Sequence, residues 1–217
     1  MKIALIGATG FVGKALLSEA LRRNIEVTAI SRHPEKIGNA DPKIKPVKLD
    51  VFDAQALAGA LKGHDAVISA YNAGWTNPNY REDFLKASEA IEKAAEKAGV
   101  KRFLVVGGAG SLEASPGLQL VASPGLPEEY RAAAKAVRDY LAILKKNATL
   151  EWSFLSPAIV MSPEIKTGRT GRYRIGTEQP VFDAAGVSAI SVEDLAVALF
   201  DELENGRFIR KRFTVGY

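Results

Sequence analysis

Cysteine is absent from this 217-residue sequence, and histidine occurs only twice. Without cysteine the chain can form no disulfide, no thiolate metal site and no cysteine nucleophile. His33 and His64 have no ligand-type partner at metal-binding spacing other than Asp65, so the sequence predicts no metal site. No apolar run approaches the roughly 20 residues that span a bilayer, and Lys2 leads directly into structured sequence without a signal peptide. We therefore expect a cytoplasmic protein with no membrane partner.

Neither sign of charge dominates, because the sequence has 29 basic and 25 acidic residues and a formal net charge of +4. A surplus this small does not predict nucleic-acid binding, although it suits an anionic ligand. Basic residues concentrate in 166–174 and 207–213, and runs of this kind are typical of solvated surfaces. The rest of the composition is that of an ordinary globular domain, with 47% hydrophobic and 25% charged residues.

Two patterns alternate along the chain. Strand-like apolar runs are predicted at 2–7, 26–32, 43–50, 65–71, 101–108, 150–156 and 212–217. Helical periodicity is predicted at 11–23, 53–62, 81–98, 127–146 and 192–204. Continuously apolar strands separated by helices are typical of a parallel sheet that is covered on both faces. We therefore predict an α/β fold, a Rossmann-like doubly wound parallel sheet with strand order 3-2-1-4-5-6 plus a C-terminal strand.

Residues typical of helix ends support these bounds. Gly99 follows one predicted helix, Pro127 lies in the first turn of another, and Ser191 precedes the last as an N-cap. The alternation stops in 157–190, where glycines and prolines predict loops with short strands. The prediction is one NAD(P)-binding domain, 1–217, in which this segment forms a small flap on the substrate side.

A glycine-rich stretch, GATGFVG, joins the first strand to the first helix. In this context the spacing predicts a phosphate-binding turn, because glycine lets the backbone approach a pyrophosphate at the helix N-terminus. Gly7 would make the turn, Gly10 would allow close approach, and Gly13 would pack the helix on the sheet. The alternative is a tight turn that binds nothing. The predicted contacts are Gly7, Thr9, Gly10, Phe11, Val12 and Gly13.

The end of the second strand indicates which dinucleotide binds. A carboxylate there would accept from the ribose 2′-hydroxyl of NAD, but this sequence has Ser31 and Arg32. Guanidinium and hydroxyl donors suit a 2′-phosphate. NADP(H) is therefore favoured over NAD(H), the alternative being that Arg32 is only a solvated loop residue.

Residues after the third and fourth strands complete the predicted cleft. Asp50 and Val51 lie where an adenine would bind, although Asp50 or Asp53 could instead cap the following helix. By topology, residues at the end of the fourth strand face the nucleotide crevice. Those residues are Ala70, Tyr71 and Asn72.

Motifs along the whole chain resemble those of one family. They are GATGFVG (7–13), DAVISAYNAG (65–74), GGAGSLE (107–113), TGRYRIG (170–176) and ISVEDLAVALFDELE (190–204). Together they resemble the atypical short-chain dehydrogenases/reductases, nearest the NAD(P)H-binding, NmrA-like branch that often carries an epimerase/dehydratase label. The resemblance implies a Rossmann fold that binds NAD(P)(H), in a branch of reductases and of redox-sensing regulators without known turnover. Because one fold hosts many functions, the epimerase label by itself carries little weight.

The catalytic Tyr-x-x-x-Lys pair of that superfamily is broken here. Tyr130 is followed four residues later by Ala134, and the lysine stands at Lys135. Five helical positions amount to about 500°, so Lys135 lies about 140° away from the face of Tyr130. Ser111 matches the position of the family's catalytic serine only approximately, and could instead bond its own backbone. Ser111 and Tyr130 remain the candidate catalytic residues.

Aromatic residues after the fourth strand predict a wall for a flat substrate. Trp75 and Tyr80 follow Tyr71 at the carboxyl edge of the sheet, where ligands bind, although some of these rings could simply pack beneath a loop. Pro157, after the sixth strand, resembles a family proline that borders the nicotinamide carboxamide. Met161 is a further candidate for lining the substrate side.

These observations favour an NADP(H)-dependent oxidoreductase that transfers hydride to a small, flat acceptor such as a flavin, a quinone or a carbonyl compound. The missing pair favours acceptors that delocalise the new charge, because reduction of a simple ketone needs a well-placed proton donor. The alternatives are an NADP(H)-sensing regulatory protein without turnover, a nucleotide-sugar epimerase/dehydratase, and a scaffold with no function of its own. The expected assembly is a monomer or a homodimer.

Overall fold

The computed structural model describes residues 1–38, 41–124, 126 and 128–217, and only the backbone of Glu129. Its helices are α1 (Phe11–Arg22), α2 (Ala54–Leu61), α3 (Tyr80–Ala98), α4 (Glu128–Leu144) and α5 (Val192–Asn205). Its strands are β1 (Lys2–Ile6), β2 (Glu26–Ser31), β3 (Ile44–Lys48), β4 (Ala66–Ser69), β5 (Arg102–Val106), β6 (Glu113–Ser115), β7 (Leu118–Gln119), β8 (Glu151–Ser156), β9 (Arg174–Gly176) and β10 (Lys211–Gly216).

Most of these strands form one twisted sheet. Within the described residues its order is β3-β2-β1-β4-β5-β8-β10-β9, and the short β6-β7 hairpin stands apart. All neighbours in the large sheet are parallel except β9, which runs antiparallel to β10 at the edge. The predicted order is confirmed, with β8 as the sixth strand of the series and β10 as the added C-terminal strand. The order reverses between β1 and β4, which is where ligands of such sheets bind.

Both faces of the sheet are covered, which explains why its strands are almost continuously apolar. Alternate residues of β1 show the division, because Ala4 and Ile6 pack under α2, α3 and α4, whereas Ile3 and Leu5 pack under α1 and α5. The first layer contains the largest buried ring, Trp152. The two layers leave the carboxyl ends of the strands as the edge available to a ligand.

The helix ends follow the local sequence. Gly99 closes α3 with a positive φ of 76°, and the Ser191 hydroxyl accepts from the Asp194 amide at 3.1 Å at the start of α5. Asp53 caps α2, because its carboxylate accepts from the Ala56 amide at 3.0 Å. The predicted place of Pro127 in the first turn of α4 lies outside the described residues.

The 157–190 segment is anchored to the layer formed by α1 and α5. The buried Asp194 carboxylate accepts from the backbone amides of Thr170 and Gly171 at 2.9 and 2.8 Å. Arg169 donates to Glu19 of α1 at 2.7 Å. The middle of this segment therefore lies on the α1–α5 side of the sheet, and its predicted role as a substrate-side flap remains a prediction.

Stability is expected to fall as the pH drops from about 7.5 to 5.5, because His64 is buried as a neutral ring. Its Nδ1 donates to the Leu61 carbonyl at 3.0 Å and its Nε2 accepts from the Thr28 hydroxyl at 2.7 Å. Burial lowers the pKa of His64, so below its ordinary value of about 6.5 the unfolded chain binds a proton more readily than the folded one. Each tenfold loss of proton affinity corresponds to about 1.4 kcal/mol of unfolding free energy.

Urea unfolding at the two pH values measures this effect. The His64→Gln variant is expected to lose less stability on acidification than the parent. His33→Gln, at an exposed position, is the matched control and should keep the parent's pH dependence. Equal losses of unfolding free energy on acidification in the parent and in His64→Gln would show that His64 is not the source of the pH dependence.

Candidate functional site

The turn between β1 and α1 needs glycine at two of its three positions for reasons internal to the fold. Gly7 has a φ of 81°, and a side-chain carbon there would overlap the carbonyl oxygen of Ala70 at the end of β4. A side-chain carbon at Gly13 would overlap the carbonyl oxygen of Gly7. These two residues therefore hold α1 tightly against the carboxyl ends of β1 and β4.

Gly10 is different, because the protein alone does not require a glycine there. Its φ of −74° and ψ of 173° suit any residue, and a side-chain carbon would meet only the Gly7 carbonyl oxygen, at 3.4 Å. No side chain caps α1 among the described residues, so the amides of Phe11, Val12 and Gly13 lack helical partners. An open space beside these amides at a helix N-terminus fits a pyrophosphate.

A cleft opens from this turn across the carboxyl ends of β1, β2, β3 and β4. Predicted cofactor residues from four separate segments line it together: Gly7, Thr9, Gly10, Ser31, Arg32, Asp50, Val51, Ala70, Tyr71 and Asn72. Three other predicted residues do not line the cleft and form the first turn of α1, namely Phe11, Val12 and Gly13. Five further residues that the sequence did not indicate also line the cleft, namely Ile6, Ile30, His33, Leu49 and Phe52. Leu49 and Phe52 could have been predicted as lining residues, because they flank Asp50 and Val51 in the same short loop.

Among the described residues, those that line the cleft at the end of β2 are Ser31, Arg32 and His33, and none of them is a carboxylate. The Ser31 hydroxyl lies 3.1 Å from the Thr9 hydroxyl and accepts from the His33 amide at 3.0 Å. Arg32, next to it, is exposed and lines the cleft. This end of the cleft therefore offers hydroxyl and guanidinium donors to a ligand.

Asp50 lies on the opposite wall, at the end of β3. Its carboxylate accepts from the Phe52 amide at 3.1 Å, which closes a local turn and leaves α2 to be capped by Asp53. Val51 is buried beside it. Of the two aspartates considered as helix caps, Asp53 caps α2 and Asp50 lines the cleft.

An aromatic cluster continues this wall beyond β4. Asn72 donates from its amide nitrogen to the Tyr80 hydroxyl at 3.2 Å, and Trp75 stacks on Tyr80 with a centroid separation of 6.0 Å. Tyr130 meets Trp75 edge-on at 5.9 Å. Trp75 is 68% exposed, whereas Tyr80 is buried against Phe84 and burial raises the pKa of Tyr80 to about 12. Tyr80 therefore supports the cluster, while Trp75 and Tyr130 present its open surface.

The two candidate catalytic residues have different environments. Ser111 is 2% exposed, and its hydroxyl lies 3.3 Å from the Ser156 hydroxyl. Tyr130 is 48% exposed. Ala134 packs against the 107–111 loop so closely that a side-chain carbon on Gly110 would lie 2.9 Å from its Cβ. An alanine therefore contacts this loop at the position where the family's pair has its lysine.

Pro157 and Met161 do not line the cleft. Pro157 follows β8 directly and is buried, and Met161 packs against the α1–α5 layer. Their predicted contacts with the carboxamide and the substrate remain predictions.

The fold and this site define a Rossmann-type dinucleotide-binding protein. The NAD(P)H-binding family matches residues 7–203, and the chain belongs to that family. It is an atypical short-chain dehydrogenase/reductase of the NmrA-like kind, as its resemblance implied. It binds NAD(P)H, and its family is one of Rossmann-like oxidoreductases and epimerases.

Relatives with similar chains carry different descriptions. The Bacillus subtilis protein YwnB, described as uncharacterized, is 38% identical over 99% of this chain and 98% of its own length. A Bacteroides thetaiotaomicron structure described as a candidate epimerase is 48% identical with a TM-score of 0.91, covering 100% of this chain and 96% of its own. A Streptococcus pneumoniae structure described as a candidate NADH-flavin reductase is 37% identical with a TM-score of 0.86, covering 100% and 99%.

Along the parts of the chain that the structure describes, no helix has the length and apolar character to cross a bilayer. In those same parts, no group of three carboxylate or imidazole side chains comes together to hold a metal ion.

Proposed function

We propose that this protein is an NADP(H)-dependent oxidoreductase that passes hydride from the nicotinamide to a small, flat acceptor. The observation that carries the proposal is the continuity between the dinucleotide cleft and the aromatic cluster. Asn72 lines the cleft and bonds Tyr80, on which the exposed Trp75 stacks. A planar ring bound against Trp75 would lie next to the cofactor.

The cofactor preference rests on the rim at the end of β2. Arg32 presents a guanidinium where NAD-binding relatives of the fold place a carboxylate. A guanidinium matches phosphate oxygens with paired donors. The proposed binding roles are the 2′-phosphate for Ser31 and Arg32, the adenine for Asp50 and Val51, and the pyrophosphate for the turn at Gly10.

The acceptor is proposed to be a flavin, a quinone or a conjugated carbonyl compound. The bound cofactor supplies the hydride, and the chain contributes orientation and a stacking surface. Tyr130 is the accessible hydrogen-bond donor beside Trp75, whereas the buried Ser111 orders its loop. Alanine at position 134 disfavours an epimerase that works through the tyrosine–lysine pair. The Streptococcus pneumoniae relative described as a candidate NADH-flavin reductase supports the flavin assignment.

NADPH oxidation with a panel of flavins, quinones and small carbonyl compounds tests the proposal. Saturable turnover is expected with one planar class, and Trp75→Ala should raise the KM for that acceptor about tenfold, because stacking on an aromatic ring contributes about 1–3 kcal/mol per base. The Kd for NADPH should change less than about twofold, since Trp75 does not line the dinucleotide cleft.

Ile209→Ala is the matched control, because Ile209 is 39% exposed and precedes β10 at the opposite edge of the sheet. This variant should keep the parent KM. Tight NADPH binding without turnover on any acceptor would overturn the oxidoreductase proposal in favour of an NADP(H)-sensing protein.

A further inference from the structure

Arg212 of β10 is a buried arginine that connects three separate segments. It is 6% exposed, and its Nη1 donates to the carbonyl oxygen of Ser111 at 2.7 Å. Its Nη2 forms an ion pair with Glu178, which lies between β9 and α5. Glu178 in turn accepts from the Glu113 amide through its own carbonyl, at 2.8 Å. A buried charge with these partners ties β10, the 107–111 loop and the 157–190 segment together.

The 107–111 loop lies at the ligand edge of the sheet. It follows β5, in which Val105 is the register partner of Ser69 in β4. The residues after Ser69 line the dinucleotide cleft, so the loop begins beside that cleft, on the side away from β1. This is the side on which the nicotinamide half of a dinucleotide extends across the switch point.

The loop is wedged between a strand and a helix. A side-chain carbon on Gly107 would overlap the ring of Phe154 in β8, and one on Gly110 would lie 2.9 Å from Ala134 in α4. The start and the middle of the loop are therefore fixed by close steric packing. Its end, at Ser111, is held by the guanidinium of Arg212.

We propose that Arg212 is a positioning residue for the nicotinamide end of the site. It sets the 107–111 loop through Ser111 and couples that loop to the 157–190 segment through Glu178. A planar guanidinium can serve both acceptors at once, whereas the single ammonium of lysine cannot reproduce the fork. The kinetic part of this proposal rests on the proposed oxidoreductase function, and the structural part does not.

Hydrogen exchange and kinetics of Arg212→Met and Arg212→Lys test the proposal. In the parent, NADPH should protect the amides of 107–113, and in Arg212→Met their exchange with NADPH bound should rise at least tenfold. The kcat with the best acceptor should fall at least tenfold, while the Kd for NADPH changes less than threefold. Arg212→Lys should fall between the parent and Arg212→Met in both measurements.

Arg102→Met is the matched control. Arg102 is a largely buried arginine whose side chain is 11% exposed and paired with Glu202, and it lies at the start of β5, on the opposite edge of the sheet. Among the described residues, its Nε and that of Arg212 are both buried without a hydrogen-bond partner. Arg102→Met should lower the melting temperature as Arg212→Met does, yet leave loop protection and kcat near the parent values.

Different outcomes separate failure of this proposal from failure of the proposed function. If both methionine variants lose activity only in step with their melting temperatures, the role of Arg212 is merely structural and the proposal is overturned. If the parent turns over no acceptor, the oxidoreductase function fails, and loop protection alone decides the role of Arg212.

If Arg212→Met does not fold, the Glu178→Gln variant tests the role of Arg212 instead, because the Glu178 side chain is 60% exposed. Faster exchange at 107–113 in that variant supports the proposal, and unchanged exchange overturns it.

Discussion

Gly10→Ser is expected to weaken NADPH binding at least tenfold, about 1.4 kcal/mol, without destabilising the fold. The backbone at Gly10 suits serine, and the nearest atom to a new side-chain carbon is 3.4 Å away. Serine is also a good helix N-cap, so the free energy of unfolding should stay constant or rise by a few tenths of a kcal/mol. The same hydroxyl would occupy the space and the amides that the pyrophosphate needs.

Calorimetric titration with NADPH and urea unfolding measure the two effects separately. Gly13→Ser is a control that should lower stability where Gly10→Ser does not, because a side-chain carbon at position 13 would overlap the Gly7 carbonyl oxygen. That variant should lose about 1–3 kcal/mol of unfolding free energy through overpacking. If Gly10→Ser binds NADPH as tightly as the parent, the pyrophosphate does not lie at this turn.

The fold was predictable because local pattern and topology agree along this chain. Continuous apolar strands, a glycine turn after β1 and typical helix ends at Gly99 and Ser191 all indicate one parallel sheet. The predicted elements agree with the described ones to within two residues at their ends. The residues that meet in the cleft were predictable for the same reason, since a parallel sheet brings the carboxyl ends of its strands to one edge.

Contacts between distant segments were not predictable in this way. The carbonyl oxygen of Ser111 accepts from Arg212, 101 residues away, and no local pattern at either position indicates the other. Sequence position indicates only that Asp194 lies near a helix start, yet its carboxylate also accepts from the Thr170 amide. Such contacts depend on side-chain geometry in the assembled fold, whereas periodicity reports only which face of an element is buried.

The broken tyrosine–lysine pair is described partly by the sequence and partly by the structure. Spacing alone excluded a lysine on the face of Tyr130, and the structure adds that Ala134 is packed against Gly110. A lysine introduced at position 134 would therefore start from a backbone position that lies against the 107–111 loop. The proposed hydride transfer therefore has to proceed without a lysine at that position.

Arg32→Ala is expected to weaken NADPH binding about tenfold to a hundredfold, about 1.4–2.8 kcal/mol, while NADH binding changes less than about twofold. Arg32 is exposed at the cleft rim and carries the charge that a 2′-phosphate would meet. The proposed preference of the parent for NADPH should also shrink as salt is raised from about 0.1 to 1 M, because an exposed charge pair is screened.

The affinity ratio of the two cofactors, measured in the parent and in Arg32→Ala, separates a 2′-phosphate contact from a general effect of charge. Arg172→Ala removes the same charge from an exposed position on the 157–190 segment, so it should leave the ratio unchanged. Equal losses of affinity for NADPH and NADH in Arg32→Ala would contradict the assignment of Arg32 to the 2′-phosphate.

Ser31 is expected to discriminate between the two cofactors less than Arg32 does, because its hydroxyl is already engaged with Thr9 and with the His33 amide. The preference for NADPH is therefore expected to depend on the guanidinium of Arg32.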